Sequence, residues 1–346
     1  MPMFPPSLLS IRRPAALCPP RPAHRRLSAG ISRRSFLALV LLAAVGSATI
    51  TTAAGDGRTV RLLTVGNSFS RNATRHLDAL ATAAGDTLVH RAIVVGGASL
   101  ELHATKALQH ERDPQDKDGR YADGRSLREA LIAEPWDYVT IQQASLKSHD
   151  VDTYRPFARQ LFDTIKRHAP AAEVLLHVTW EYRRDDPRFA APAPAGEPPT
   201  ADAMYRGLAH AYRTIAQELG LRRIPVGDAF HLANADPQWG YRPPAQPVSV
   251  LAYEPPALPE QIHSLNVGWN WKKKPDGTMT LNFDGHHANL AGEYLGACVW
   301  YEVLFRRGVQ GNSFVPEGLD PAYARFLQDI AHRAVTELES SPPLTR

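Results

Sequence analysis

Two short polar stretches, one near each end of the chain, carry residue types that together can transfer an acyl group. Ser68 follows an apolar run that breaks at Gly66. Asp284 and His287 are three residues apart, a spacing that brings a carboxylate and an imidazole together where a loop enters a helix. A carboxylate bonded to one imidazole nitrogen leaves the other nitrogen free as a general base, and serine needs such a base to attack an ester. The pattern predicts Ser68 as nucleophile, His287 as base and Asp284 as orienting acid, with His286 as the competing base.

Both stretches also fit a structural interpretation, because Asn67, Ser68 and Asp284 are residue types that cap helix N-termini. A third interpretation is a metal site made from Asp284, His286 and His287. Three ligands on four consecutive residues rarely complete a tetrahedral shell, and no further His or Cys spacing supports one. We therefore predict no metal, and no phosphate loop or dinucleotide fingerprint indicates another cofactor.

The elements that must position these residues alternate between strand and helix patterns. Five apolar runs read as buried strands: residues 60–65, 88–95, 137–141, 174–178 and 222–226. Pro225 interrupts the last run, which suits an edge strand. Strands separated by helices predict a doubly wound, three-layer α/β/α sandwich with a parallel sheet, and such sheets bind ligands at the carboxyl ends of their strands.

Four motifs in this order resemble the SGNH (GDSL-type) hydrolase superfamily, in the wording of a little-characterised subfamily, over roughly residues 58–308. They are Val65-Gly66-Asn67-Ser68-Phe69-Ser70, Gly96-Gly97-Ala98-Ser99-Leu100, Ile141-Gln142-Gln143-Ala144-Ser145 and Asp284-Gly285-x-His287. The resemblance implies a flavodoxin-like strand order of 2-1-3-4-5. It also implies that the backbone N–H groups of Ser68 and Gly97 form an oxyanion hole.

Most members of the superfamily supply a third oxyanion donor from an Asn after the third strand, where this chain has two glutamines. A Gln amide offers the same donor on a longer arm. Adjacent strand residues point to opposite faces, so we expect only one of the pair to reach the site. Gln143 is preferred because it is nearer the carboxyl end, and Gln142 is the alternative.

Four further residues are candidates for lining the substrate pocket: Asn67, Glu101, His103 and Trp180. Trp180 follows the fourth strand, where an aromatic ring can stack on a sugar, although burial in the core explains it equally well. Glu101 and His103 lie just inside the helix after Gly97, and a structural role is the alternative for both.

A long irregular segment precedes the Asp284 stretch. Pro275-Asp276-Gly277 is a turn signal between the apolar runs 265–271 and 278–283, and it predicts a hairpin insertion around residues 262–283. We otherwise expect a single domain over residues 55–346. The insertion lies beside the predicted site, where such segments commonly shape substrate choice.

Residues 1–54 are expected to be a leader and not part of the fold. Ser32-Arg33-Arg34-Ser35-Phe36-Leu37 resembles a twin-arginine export signal, and the apolar segment behind it is short for a membrane span. Such a leader is removed or disordered in the mature protein, with an uncleaved anchor as the alternative. Its seven arginines and no acids account for the basic excess, because the whole chain carries +4 and the remainder −3. The balance therefore gives no case for a nucleic-acid partner.

These observations predict an exported serine esterase whose partners are the twin-arginine export machinery and an ester substrate. Export, candidate exposed tryptophans and an acyl-transfer site favour an O-acetyl group on a polysaccharide. A lipid or simple ester is the enzymatic alternative, and a non-catalytic carbohydrate-binding relative of the same fold is the alternative from another class. The mature chain keeps one cysteine, Cys298, so no internal disulfide is expected.

Overall fold

The computed structural model describes residues 57–189, 196–246 and 248–340, and the predicted leader lies outside these ranges. Five parallel strands form the central sheet. They are β1 (Thr59–Gly66), β2 (Thr87–Val94), β3 (Tyr138–Ile141), β4 (Glu173–His177) and β5 (Arg222–Ile224).

The strands lie in the order β2-β1-β3-β4-β5, all parallel. This is the flavodoxin-like order that the resemblance implied, so the predicted fold class is confirmed. β5 is a short edge strand of three residues. Because β1 lies between β2 and β3, the segments that follow these three strands meet at one edge of the sheet.

Nine α-helices are described within the ranges given above. They are α1 (Ser68–Ala73), α2 (Leu77–Ala83), α3 (Leu100–Arg112), α4 (Leu127–Ile132), α5 (Phe157–His168), α6 (Ala201–Leu219), α7 (Val226–Ala235), α8 (Leu290–Phe305) and α9 (Pro321–Ser340). The helices α3 to α6 pack against one another in chain order, whereas α1, α2, α7 and α9 all contact α8. Together with the sheet these two groups make three layers.

The core lies on both faces of the sheet. Consecutive residues of β1 such as Leu62 and Leu63, whose side chains point to opposite faces, are almost completely buried, as a strand covered on both faces requires. Helix α8 is buried from Ala291 to Phe305 because it lies under α9, and its Cys298 is a buried free thiol.

Two helices differ from the sequence patterns. In the sequence, the helix pattern that follows the first strand passes through residues 72–77 and runs to about Ala84, but the chain turns between α1 and α2 near Thr74. A second pattern, the amphipathic spacing over residues 152–168, predicts a helix that begins at Asp152. The helix begins at Phe157, because Pro156 disfavours helical backbone in the residue before it.

A second, two-stranded antiparallel sheet consists of β6 (Asn266–Lys273) and β7 (Met279–Ala288). Asn289 follows β7 and caps α8, its Oδ1 accepting hydrogen bonds from the N–H groups of Ala291 and Gly292. The hairpin therefore leads directly from the irregular segment into the long buried helix. Among the described helices, none combines the length and the apolar character that crossing a membrane requires.

Candidate active site

The turn between β1 and α1 presents Ser68 as the first residue of a helix. Asn67 has extended backbone, and its Oδ1 accepts a hydrogen bond from the Phe69 N–H at 3.0 Å. Gly66 is closely packed, since a Cβ there would lie 2.9 Å from both the Ser70 hydroxyl and the Gln142 side-chain oxygen. Ser68 itself is half-buried. The sequence folds this way because a small residue is needed at the end of the strand and an N-cap is needed next.

The structure brings Ser68, His287 and Asp284 together in one chain of hydrogen bonds. Ser68 Oγ lies 2.9 Å from His287 Nε2, and His287 Nδ1 lies 2.8 Å from Asp284 Oδ2. The carboxylate can only accept, so Nδ1–H donates to it and Nε2 is left to accept the serine proton. A serine, an imidazole and a carboxylate in this order form the geometry of a nucleophile activated by an oriented base.

An irregularity in β7 presents the acid and the base. Gly268 pairs with Asp284 and Asn266 pairs with Ala288, so three residues of β7 stand opposite one of β6. The extra residues form a bulge, the device that strands use to redirect side chains beside active sites. Within it, Asp284 Oδ1 accepts hydrogen bonds from the N–H groups of His286 at 3.3 Å and His287 at 3.0 Å. The carboxylate thereby fixes the backbone of the bulge as well as the imidazole.

These contacts set the charge state of Asp284. Burial alone would raise its pKa, but hydrogen bonds from the His287 ring and backbone, with the two nearby imidazoles, hold the pKa well below its usual range. Asp284 is therefore ionised at neutral pH, as the orienting member of the set must be.

His286 is the second imidazole on this carboxylate, and its Nδ1 lies 3.1 Å from Asp284 Oδ1. Burial lowers the pKa of His286, so the ring is neutral near pH 7. Its ring centroid lies 4.2 Å from that of His287 and 5.5 Å from that of Tyr182. His287, and not His286, makes the contact with Ser68, which matches the three-residue spacing on which the sequence prediction was based.

The two backbone donors expected for an oxyanion hole have no acceptor within the described ranges. Ser68 N–H is free because it is at the first position of α1, and Gly97 N–H lies in an exposed turn with a positive φ of 67°. Asn67 ties the two segments together, because its Nδ2 donates to the carbonyl of Ala98 at 2.9 Å. The structure therefore fixes the Gly97 turn to the turn that carries the serine.

Neither glutamine lies where the third oxyanion donor was predicted, and this is a correction. The Gln143 amide donates to the Thr153 carbonyl at 2.8 Å, while its Oε1 accepts from the N–H groups of Leu100 and Ala144. The Gln142 amide donates to Asn67 Oδ1 at 2.7 Å. Both side chains are fully buried. They are used as ties between loops, since buried amide groups must find partners.

His177 completes the contacts of Gln142, because its Nδ1–H donates to Gln142 Oε1 at 2.8 Å. Burial lowers the pKa of His177 to about 3, so it stays neutral.

Three of the four predicted pocket residues are buried and do not line a substrate site. Asn67 is the tie described above. Trp180 is fully buried, with its ring between Phe69 and Phe230, and its Nε1–H donates to the His286 carbonyl at 2.9 Å. The tryptophan therefore supports the β7 bulge that carries Asp284 and His287, and its ring faces are covered by Phe69 and Phe230.

His103 is the third buried residue. Its Nε2–H donates to the Gly66 carbonyl at 3.1 Å, and Tyr121 donates to its Nδ1. Burial lowers the pKa of His103 to about 4. Glu101 alone among the four is exposed, and it forms an ion pair with Lys147, in the loop that follows β3.

The sequence indicates a Pro-, Ala- and Arg-rich loop over the site at residues 183–200, but it does not predict how the segment after β4 contacts the bulge. Arg183 N–H donates to the Gly285 carbonyl at 2.8 Å. A Cβ at Gly285 would overlap the buried carboxylate of Asp186, so any larger residue would have to displace that side chain. The run Arg183 to Asp186 has the charge pattern of a solvated loop, and the sequence offers no signal that Arg183 is buried against the bulge.

A metal ion has one candidate place in the described part of the chain. Ligand atoms of Asp284, His286 and His287 lie within 4.8 Å of one another. The cluster coincides with the hydrogen-bonded set, in which Asp284 Oδ2 already accepts from the His287 ring and Asp284 Oδ1 accepts from the N–H groups of His286 and His287.

Comparisons with known proteins agree with this architecture. Residues 61–192 match the model of a domain of unknown function, DUF4886. A solved DUF4886 family protein from Bacteroides uniformis ATCC 8492 is 26% identical, with a TM-score of 0.61, and the match covers 83% of this chain and 98% of that one. A protein from Parabacteroides merdae ATCC 43184, provisionally named a GDSL-like lipase, is 14% identical, with a TM-score of 0.40, over 72% and 98% of the two chains. No curated protein matches the sequence.

Proposed function

We propose that the chain is an exported serine ester hydrolase of the SGNH type that removes O-acetyl groups from a carbohydrate. The observation that carries the proposal is the unbroken hydrogen-bond chain from Ser68 through His287 to Asp284. A module that only binds carbohydrate needs no general base on a serine, so this arrangement favours catalysis over the binding alternative.

In the proposed reaction, His287 Nε2 takes the Ser68 proton while Ser68 Oγ attacks the ester carbonyl. The N–H groups of Ser68 and Gly97 stabilise the negative charge that develops on the carbonyl oxygen. His287 then protonates the leaving alcohol, and the acyl group stays on Ser68. Water, activated by the same imidazole, releases the acid and restores the serine.

Polar groups beside the His286 ring favour a hydroxylated substrate over a lipid chain. Ser145 Oγ lies 2.9 Å from the Tyr182 hydroxyl, and the Tyr182 ring centroid lies 5.5 Å from that of His286. Polar groups of this kind recognise sugar hydroxyls, whereas an acyl chain needs apolar lining. Export through the leader would bring the enzyme to extracellular or periplasmic polysaccharides.

The first test is hydrolysis of 4-nitrophenyl acetate by the domain from residue 55 onward. Ser68→Ala and His287→Ala should each lower kcat by about 10³-fold or more, because the set acts as one unit. Ser313→Ala and His210→Ala alter an exposed serine and an exposed histidine outside the site, and they should keep parental activity.

Covalent labelling by a fluorophosphonate supplies a readout that is independent of the ester chosen. We expect labelling of the parent and loss of labelling in Ser68→Ala. If the parent neither turns over the ester nor takes the label, the binding-module alternative replaces the proposal. Acetate release from acetylated xylan, compared with cleavage of 4-nitrophenyl palmitate, separates the carbohydrate esterase from the lipase.

A further inference from the structure

The segment after β4 is held rigidly against the catalytic bulge. Arg183 N–H donates to the Gly285 carbonyl, and the Asp186 side chain fills the space beside Gly285. The Arg183 guanidinium is buried, lies over the Phe283 ring at 4.7 Å and pairs with Asp185. The position of this segment is therefore tied to the position of the acid and the base.

Arg188 lies in this segment with its backbone fixed, and its guanidinium forms no ion pair among the described residues. Its N–H donates to Asp186 Oδ1 at 3.0 Å, and it lies in a 3₁₀ turn, Pro187–Phe189. Its guanidinium lies 4.8 Å from the centre of the Tyr182 ring. Among the described residues no carboxylate pairs with it, and residues 190–195, next in the chain, are all Ala or Pro.

The other arginines of the same segment differ in this respect. Arg183 pairs with Asp185, and Arg184 lies 3.8 Å from Asp202. The Arg188 guanidinium lies over the Tyr182 ring, and its Nη1 donates to the Tyr182 hydroxyl at 3.5 Å. Its other N–H donors have no acceptor among the described residues, and a planar guanidinium can bind a carboxylate with two hydrogen bonds.

A row of contacting rings places Arg188 on the leaving-group side of the reaction. Tyr182 contacts the His286 ring, and the His286 ring contacts His287, the group that protonates the leaving alcohol. The alcohol half of an ester must therefore lie on the imidazole side of Ser68, whereas the carbonyl oxygen points to the Gly97 turn. Burial is the main reason that the pKa of His286 is lowered, and the positive charges of His287 and Arg188 lower it further. Arg188 is therefore close enough to act electrostatically on the imidazole side of Ser68.

We propose that Arg188 binds a carboxylate on the alcohol half of the substrate, so that the enzyme deacetylates an acidic sugar such as a uronic acid. The inference rests on the proposed function and adds the charge class of the substrate. Tyr182 holds the guanidinium in place, and Arg188 acts as a specificity residue that leaves the chemistry to Ser68 and His287.

The test compares 4-acetoxybenzoate with its methyl ester, two substrates that differ in one negative charge on the alcohol half. We measure the ratio of kcat/KM for the acid to that for the ester in the parent, in Arg188→Gln and in the control Arg184→Gln. The ratio should fall by about 10-fold in Arg188→Gln, the size of a charge-assisted contact weakened by solvent. In the parent, the ratio should also fall when the salt concentration is raised. In the control Arg184→Gln, the ratio should equal that of the parent.

A ratio that is the same in the parent and in Arg188→Gln overturns the inference while the esterase proposal stands. Titration calorimetry measures the preference for the charged compound without turnover. It compares the Kd of 4-hydroxybenzoate with the Kd of its methyl ester in the parent and in Arg188→Gln. If the parent hydrolyses neither ester, but Arg188→Gln weakens the binding of 4-hydroxybenzoate and not that of its methyl ester, the proposed function fails and the carboxylate site stands. Acetate release from acetylated polygalacturonate and from acetylated xylan then tests whether the carboxylate belongs to a uronic acid. If Arg188→Gln lowers acetate release from both polymers equally, the uronic-acid assignment is overturned.

Discussion

Replacing Asn67 should damage stability and catalysis together, because this one side chain connects three loops. Its Oδ1 accepts from Phe69 N–H and from the Gln142 amide, and its Nδ2 donates to the Ala98 carbonyl. The residue is 1% exposed, so water does not replace these contacts when they are removed.

The magnitude follows from these partners. Asn67→Ala removes three hydrogen bonds, each worth about 1 kcal/mol net, and leaves a buried Gln142 amide and a buried Ala98 carbonyl unpaired. We expect the free energy of unfolding to fall by about 3–5 kcal/mol. The Gly97 turn loses its link to Ser68 as well. We therefore expect kcat to fall by about 10²-fold, as when one oxyanion donor is lost.

Asn67→Asp separates the two kinds of contact. The carboxylate keeps both accepted hydrogen bonds but places a negative oxygen against the Ala98 carbonyl. Burial raises the pKa of such a carboxyl group in the folded state, so the variant should be least stable, relative to the parent, above that pKa. The stability deficit should shrink as pH falls from 8 to 5, because the protonated oxygen can donate to the carbonyl.

Guanidinium unfolding followed by tryptophan fluorescence measures stability, and 4-nitrophenyl acetate hydrolysis measures kcat. Asn234→Ala is the matched control, since Asn234 is a buried asparagine whose side chain makes one long contact, 3.4 Å to Glu181. It should lose less stability and keep its kcat. If Asn67→Ala unfolds within about 1 kcal/mol of the parent and retains full activity, the role given to Asn67 as a tie is wrong.

Three further perturbations test other parts of the site. His287→Asn should abolish hydrolysis, whereas His286→Asn should leave measurable activity with an altered pH profile; equal losses in both would refute the assignment of the base. His103 has a folded pKa of about 4 against 6.5 unfolded, so acidification from pH 6.5 to 4 should destabilise the parent more than His103→Gln, as unfolding at each pH will show. Gly285→Ala should lower kcat, because the added methyl group overlaps Asp186, while thermal unfolding checks that the domain remains folded.

The arrangement of the main sheet could be predicted from the sequence because its signals are local. Apolar runs such as residues 60–65 and 174–178 fall within a residue or two of β1 and β4. The late Asp-x-x-His spacing likewise identified the residues that the structure brings to Ser68. In each case neighbouring residues carry the information, and the sheet order follows from the family resemblance.

The remaining features depend on partners that are distant in sequence. The two glutamines end a strand at the edge of the sheet where a ligand is expected, yet Gln142 turns to Asn67 and Gln143 to Thr153. Trp180 was compatible with either a stacking or a core role, and only the packing of Phe69 and Phe230 decides between them. Contacts of this kind are not visible in the spacing of residues along the chain.

The bulge in β7 has a consequence for how this protein can change in length. Between the Gly268–Asp284 and Asn266–Ala288 pairs, β7 holds two more residues than β6, an even number, so the inward and outward alternation is the same on both sides of the bulge. A third extra residue would reverse that alternation, so the side chains on one side of the bulge would exchange their inward and outward positions. Insertions at the exposed Lys272–Thr278 tip leave this count unaltered. The hairpin can therefore vary in length at its tip during evolution. At its base, the number of extra residues must stay even, whatever their side chains are.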